Sequence, residues 1–312
     1  MILVTGGSGY LGSHIVRKLA DAGKRVRVMV YSRERAELEG RLSGLPIEWV
    51  EADVTRPETL GPALEGVQTV IHTIAVAIEK GSSTYETINF QGTVNLVDAA
   101  TEQGIQRFIN ISQLGAAPGL PYRFLASKGR AQVYVAQSSL DWTAFRPSVI
   151  WGPEDEFANT FARLVPLTPL IFPIVGGPDA RFQPVWVEDV ATSVLKALDD
   201  PTTYHQEFEL GGPEVLTLEQ IERRTLEAIG ARRWMIPFPM PLLRLIVALM
   251  EALLPAPPVT RSLLELLAVS NVPTNNAIGR FVRDPRPFTT DNTRDYMNEF
   301  SVPETLRQFF GR

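Results

Sequence analysis

The chain has 312 residues, 45% of them hydrophobic, and a formal net charge of −5. Such a composition describes a globular protein of one large or two interleaved domains, and its acidic balance offers nothing to a nucleic-acid backbone. With no cysteine, disulfides, thiolate nucleophiles and cysteine-ligated metals are excluded, and His14, His72 and His205 lack any ligand spacing, so no metal is expected. The chain opens on an apolar strand rather than on a charged segment followed by a cleavable apolar one, which makes cytoplasmic residence the default expectation.

Met1 to Thr5 reads as a short buried strand, and Tyr10 to Ala22 as a helix with Leu11, Ile15, Val16 and Leu19 on one face. Between them, Val4-Thr-Gly-Gly-Ser-Gly-Tyr-Leu-Gly12 puts its glycines where strand turns into helix, the pattern of a dinucleotide phosphate-binding turn. Gly6 suits the tight turn, Gly9 a close approach by pyrophosphate, and Gly12 close packing of helix on strand; the helix start at Tyr10 and Leu11 faces the anion.

Arg25 to Val30 reads as the second strand. A carboxylate at its end would bind a ribose 2′-hydroxyl and repel a 2′-phosphate, but the strand ends Val30-Tyr31-Ser32-Arg33. A hydroxyl and a guanidinium therefore stand where the 2′-phosphate would sit, and NADPH is expected over NADH. The alternative is that Arg33 and Arg35 pair with Glu34 and Glu37 at a solvated helix entry.

Further strands are expected at Ile47 to Val50, Thr69 to His72, Arg107 to Ile111 and Trp142 to Phe145, with helices between. Thr84 to Gln103 reads as one long helix presenting Ile88, Val94, Leu96, Val97 and Ala100. The alternation predicts an α/β fold with a doubly wound parallel sheet, a Rossmann fold. Residues 1–150 would form it, with 185–199 returning to the sheet as a strand and a helix; residues 151–312, rich in proline, would form a smaller, mostly helical C-terminal lobe.

Within that lobe, Leu242 to Leu254 is helical in composition and apolar nearly all round, interrupted by Arg244 and Glu251. It is too short to span a bilayer, which takes roughly 20 residues. Val259 to Val269 is a second amphipathic stretch. The region 239–269 reads as a packed cap over a substrate pocket, or as a surface for a lipophilic molecule such as a quinone or isoprenoid, or for a membrane or membrane-protein complex. Arg232, Arg233 and Trp234 could sit at headgroup level, giving a peripheral membrane location.

The chain resembles the short-chain dehydrogenase/reductase superfamily in its extended and atypical branches. The resemblance rests on Thr5-Gly-Gly-Ser-Gly-Tyr-Leu-Gly12, Ala52-Asp53-Val54, Asn89, Arg146-Pro147-Ser148, Trp151-Gly152-Pro153 and Val187-Glu-Asp-Val190. Ile111-Ser-Gln-Leu-Gly-Ala116, Ser127-Lys128 and Leu140-Asp-Trp-Thr143 narrow it to the subgroup containing the accessory NAD(P)H-binding subunit of respiratory complex I. It implies that Asp53 and Val54 border the adenine, that Ala75 lines the cofactor groove, and that Pro147 to Val149 approach the nicotinamide.

The superfamily's reductases use a Tyr-x-x-x-Lys pair. Here Lys128 is present but Phe124 stands four residues before it, and a phenyl ring has no proton to give. Tyr122, six back, points away on a continuous helix and could serve only if the chain before Phe124 leaves the helix. Ser112 follows the fifth strand, slightly short of the usual catalytic hydroxyl. Lys128 is then either a ribose-binding residue in a non-catalytic site or part of a rearranged relay with Ser112, Tyr122 or Ser127.

Three functions follow: an NADPH-dependent oxidoreductase on a lipophilic carbonyl or quinone-like substrate; a non-catalytic NADPH-binding subunit or assembly factor of a membrane-associated, respiratory-type complex; and a nucleotide-sugar epimerase or dehydratase, which the missing tyrosine weakens.

Overall fold

The computed structural model describes residues 1–174, 180–254, 257, 259–267, 269–297, 301, 303 and 305. In chain order the elements begin β1 (Ile2–Thr5), α1 (Tyr10–Asp21), β2 (Val26–Val30), α2 (Arg33–Glu39), β3 (Ile47–Glu51), α3 (Leu60–Leu64), β4 (Thr69–His72), α4 (Gly92–Glu102), β5 (Arg107–Ile111), α5 (Arg123–Gln137) and β6 (Asp141–Pro147). They continue β7 (Ile150–Trp151), α6 (Ala158–Leu164), β8 (Ile171–Ile174), β9 (Arg181–Phe182), β10 (Val185–Trp186), α7 (Val187–Ala197), β11 (Gln206–Leu210), β12 (Leu216–Thr217) and α8 (Leu218–Ala228). The last are β13 (Trp234–Pro237), α9 (Met240–Leu253), α10 (Arg261–Leu267), α11 (Ile278–Phe281) and α12 (Thr290–Arg294).

The chain forms two compact units: Met1–Pro147 with Val187–Leu210 and Thr274–Asp284, and Ser148–Trp186 with Gly211–Pro273 and Pro285–Arg312. The first is built on a seven-stranded parallel sheet, order β11-β6-β5-β4-β1-β2-β3. Strand order reverses between β1 and β4, so their carboxyl ends flank the crevice where a doubly wound sheet binds its ligand. β5 is buried along its whole length, as a central strand covered on both faces must be. On one side α3 and α4 pack Leu60, Leu64, Leu96, Val97 and Ala100 against Leu3, Val70 and Phe108. Each of these leucines, valines and Phe108 contributes about 1.5–3 kcal/mol on burial.

Two expectations are corrected. The helix expected from Thr84 begins as a wide-turn π segment over Tyr85–Gln91, and only Gly92 onward is α-helical. Thr84 caps it, its hydroxyl accepting from the Thr87 N–H while Thr87 bonds back to the Thr84 N–H. The strand at Val185 does not join the large sheet: it pairs in parallel with β7, Val185 beside Ile150 and Trp186 beside Trp151. The helix after it, α7, does return, packing on α1. The seventh strand of the sheet is β11, parallel to β6. Phe281 of α11 stacks edge-on against Phe145 and Phe208 of these two strands, at 5.3 and 5.2 Å.

The second unit is made of short pieces. β9 pairs antiparallel with β12 and β8 pairs in parallel with β13. Trp151 lies 4.4 Å from Trp186 and 5.1 Å from Phe288 between ring centroids. Asp155, fully buried, accepts the backbone N–H groups of Gly152 and Phe157.

Candidate cofactor site

The turn between β1 and α1 is shaped by its glycines. Gly6 has φ +67°, the left-handed region that side chains rarely adopt. A Cβ on Gly12 would lie 2.2 Å from the Gly6 carbonyl oxygen, so only glycine lets α1 start this close to β1. The Gly9 N–H donates to the Gly6 carbonyl at 3.0 Å. α1 starts at Tyr10 and Leu11 with no side-chain cap and no acidic residue in its first turn, leaving its leading N–H groups to an anion. Residues and cradle thus fit a dinucleotide pyrophosphate.

Below the turn, Thr5 and His72 tie β1 to β4. The Thr93 hydroxyl donates to the Asn89 carbonyl at 2.8 Å and so accepts from Nε2–H of His72 at 3.0 Å. Nδ1 is left to accept from the Thr5 hydroxyl at 2.8 Å. The ring is neutral: burial, with the nearby Lys128 ammonium, pushes its pKa down to about 3. Thr73, just past β4, donates to the Thr5 carbonyl at 2.7 Å, and Ala75 in the following loop is exposed. That loop is held by Asn89 of the π segment, whose amide accepts from the Val76 N–H at 2.8 Å and donates to the Ser127 hydroxyl at 3.3 Å. Wide turns recur at functional sites, and this one carries the residue that buttons the crevice loop to α5.

At the end of β2, Ser32 caps α2, and the Arg33 guanidinium pairs with Glu37 at 2.7 Å. The pairing weighed from the sequence is therefore present for Arg33; Arg35 pairs with Glu39 instead. Two neighbours were not foreseen. Glu51, at the end of β3, accepts the Arg33 N–H at 2.7 Å. Arg41 reaches back to the phosphate turn and donates to the Ser8 carbonyl at 3.0 Å. Asp53 uses its carboxylate locally, accepting from the Thr55 N–H and hydroxyl at 2.8 Å each, and the buried Val54 lies against Gly92 with its carbonyl bonded to Asn95.

Lys128 is buried in α5 and donates from Nζ to the Ile111 carbonyl at 2.7 Å; burial lowers its pKa to about 8. Ser127 Oγ donates to the Phe124 carbonyl at 2.7 Å. Phe124 stacks edge-on against Tyr85 at 5.7 Å. α5 starts at Arg123, so Tyr122 lies in extended backbone outside the helix. Ser112 is buried just past β5, and its hydroxyl has no hydrogen-bond partner among the described residues. Pro147 ends β6 and is buried, its carbonyl accepting the Leu114 N–H at 3.0 Å. Ser148 and Val149 belong to the second unit, where both bond to Asn271.

Residues 6–201 match the family described as NAD(P)H-binding. The chain belongs to that family. The match begins at the first glycine of the phosphate turn and runs past α7, covering most of the first unit together with Ser148–Trp186 of the second. Among its relatives is the mitochondrial NADH dehydrogenase (ubiquinone) 1 alpha subcomplex subunit 9 of Arabidopsis thaliana, 30% identical over 76% of this chain and 60% of that protein. Another is the photosystem II assembly factor Ycf39 of Synechocystis, 27% identical over 75% of this chain and 63% of that protein. The chain spans about three fifths of the length of these relatives. Among solved structures, the Thermus thermophilus UDP-glucose 4-epimerase in complex with NAD is 20% identical, with a TM-score of 0.68 over 99% of each chain, and shows the shared fold. The chain is thus a member of an NAD(P)H-binding family whose fold is shared with a nucleotide-sugar epimerase. Among the described residues, no helix is long and apolar enough to cross a membrane.

Proposed function

We propose that the chain is a non-catalytic NADPH-binding subunit or assembly factor of a membrane-associated, respiratory-type complex. The observation that carries this reading is Phe124: a ring without a proton stands four residues before Lys128, packed on Tyr85, while Lys128 commits a hydrogen bond to the Ile111 backbone. Lys128 then serves as a ribose ligand, with Gly6, Gly9, Tyr10, Leu11 and Gly12 on the pyrophosphate and Asp53, Val54 and Ala75 along the adenosine half. Bound nucleotide would stabilise the fold by mass action rather than turn over. The subunit and assembly-factor names among the relatives support the same reading.

The preference for NADPH rests on Ser32 and Arg33. The Arg33–Glu37 pair is half-exposed and, as such pairs contribute about 0–1 kcal/mol, a 2′-phosphate can take the guanidinium with little loss. Glu51 works against this by placing a carboxylate on the Arg33 N–H. Titrating NADH and NADPH against wild type and Arg33→Ala tests the point; an unchanged preference removes it.

A second reading, an oxidoreductase on a lipophilic carbonyl or quinone-like substrate, is favoured by one observation, the buried Ser112 hydroxyl, which has no partner among the described residues. The native mass in lysate of the protein's own source decides between the two. Co-migration with a large complex, nucleotide retained and no NADPH consumed, supports the subunit. A small species oxidising NADPH with a carbonyl or quinone panel, and losing that activity in Ser112→Ala, overturns it. An epimerase rests on fold likeness alone.

A further inference from the structure

We infer that α9 is an interfacial helix that lays its exposed stripe on an anionic phospholipid bilayer. Leu243 and Val247 point into the second unit and are buried. Leu242, Leu245, Ile246, Leu249 and Leu253 remain between 38% and 74% exposed. At about 100° per residue these five fall on one stripe, with Arg244 and Glu251 on the opposite side of the helix. A folded protein does not leave five large aliphatic residues in a line in water without something to cover them.

The strand before α9 continues the pattern. β13 pairs with β8 so that Trp234 lies beside Ile171, and both are exposed, as are Leu170 and Ile236. An exposed tryptophan ahead of an aliphatic helix is the arrangement found at the boundary between headgroups and acyl chains.

The charges choose the occupant. The chain as a whole is acidic, but residues 231–267 hold four arginines and two glutamates. Arg261 and Glu251 neutralise each other at 2.6 Å. Arg232 and Arg244 have no acidic partner among the described residues, and Arg233 donates only to the Thr168 and Arg232 carbonyls. Arg244 faces away from the stripe and the Arg233 guanidinium is taken by backbone carbonyls, but Arg232 is exposed beside the exposed Trp234, and an indole and a free guanidinium at the entry to an apolar stripe match phosphate headgroups over acyl chains. The inference deepens the membrane-associated reading above: attachment is made to the lipid itself.

The test is flotation of the full chain with vesicles of phosphatidylglycerol and phosphatidylcholine against phosphatidylcholine alone. Wild type and a Leu245→Glu/Leu249→Glu variant are compared, with nucleotide binding and near-ultraviolet circular dichroism read on the same samples. Both positions are exposed, so the variant should fold and bind nucleotide as wild type does. The expected result is flotation with the anionic vesicles, weakened by salt, and a fall of about tenfold or more in the variant. Wild type that fails to float with anionic vesicles, or a variant that floats equally well, overturns the inference. So does light scattering that finds a wild-type dimer and a variant monomer, since a second copy would then cover the stripe. Nucleotide binding is scored separately, so failure of the lipid inference leaves the cofactor reading standing.

Discussion

Lys128 Nζ reaches the carbonyl oxygen of Ile111 at 2.7 Å, fixing an ammonium beneath the crevice at the cost of its hydration. Burial lowers its pKa from 10.5 to about 8, a penalty of about 3 kcal/mol near neutral pH. Lys128→Met should therefore stabilise the nucleotide-free protein by about 2 kcal/mol at pH 7, after about 1 kcal/mol for the lost Ile111 bond, while weakening nucleotide binding. The unfolded chain holds the extra proton between about pH 8 and 10.5, so wild-type stability should climb through that window and the variant's should not. Urea unfolding across pH, with a nucleotide titration, checks both; a variant less stable than wild type and unchanged in binding would refute the assignment.

His72 makes the opposite end of the pH scale destabilising. Its folded pKa of about 3 lies below the ordinary 6.5, so its contribution is intact above pH 6.5 and lost as pH falls toward 3. At about 1.4 kcal/mol per pH unit, roughly 2–3 kcal/mol should disappear between about pH 6.5 and 4.5. Asparagine can still accept from Thr5 and donate to Thr93 but does not titrate. His72→Asn should flatten that slope in denaturant curves.

Glu188 joins α7 to α1 by accepting from His14 Nδ1 at 2.5 Å and from Lys18 at 2.8 Å. Burial raises its pKa, but the hydrogen bonds from His14 and Lys18 outweigh that and hold it at about 2. This stabilisation is present above pH 4.5 and is lost as pH falls toward 2. With the side chain one-third exposed, screening reduces the effect, and Glu188→Gln should cost about 1 kcal/mol at pH 7. Thermal unfolding would show the difference closing in acid.

Phe124→Tyr restores a hydroxyl on the helix face that carries Lys128. The ring is half-buried against Tyr85, so stability should change by no more than about 1 kcal/mol. The new phenol and Lys128 should titrate as a coupled pair, the phenolate keeping Lys128 charged above pH 8 and the ammonium favouring the phenolate, so that the phenol ionises below the ordinary tyrosine range and NADPH consumption with small carbonyls rises above wild type. Ultraviolet pH titration and a coupled assay read the two effects. An unshifted phenol would mean that the two side chains do not face each other.

Much of the first unit was legible because buried parallel strands are apolar runs and the phosphate turn has a fixed glycine spacing. β11 was not. Its Gln206-Glu-Phe-Glu-Leu210 carries charge because it is the sheet's edge, where Glu207 pairs with Arg146 at 2.9 Å. β10 looked like the lead-in to α7, and only the register with β7 shows that strand and helix serve different units. Phe124 could be read from spacing alone. Arg41 and Glu51 could not, since each meets its partner through the fold and neither lies in a motif. Ligand spacing speaks only against a metal at His72; the hydroxyls of Thr5 and Thr93, with the Asn89 carbonyl behind them, show what it holds together.

The two units are threaded rather than strung in tandem: the chain changes unit after Pro147, Trp186, Leu210, Pro273 and Asp284. No single cut frees the nucleotide-binding half. A fragment ending near residue 150 would expose the β6 edge that β11 covers, strip Phe281 from Phe145 and Phe208, and remove the carboxylate that His14 and Lys18 share. Inheritance and engineering must therefore treat the chain as one indivisible module, in which lobe swapping by gene fusion is closed and change comes through loops and point substitutions.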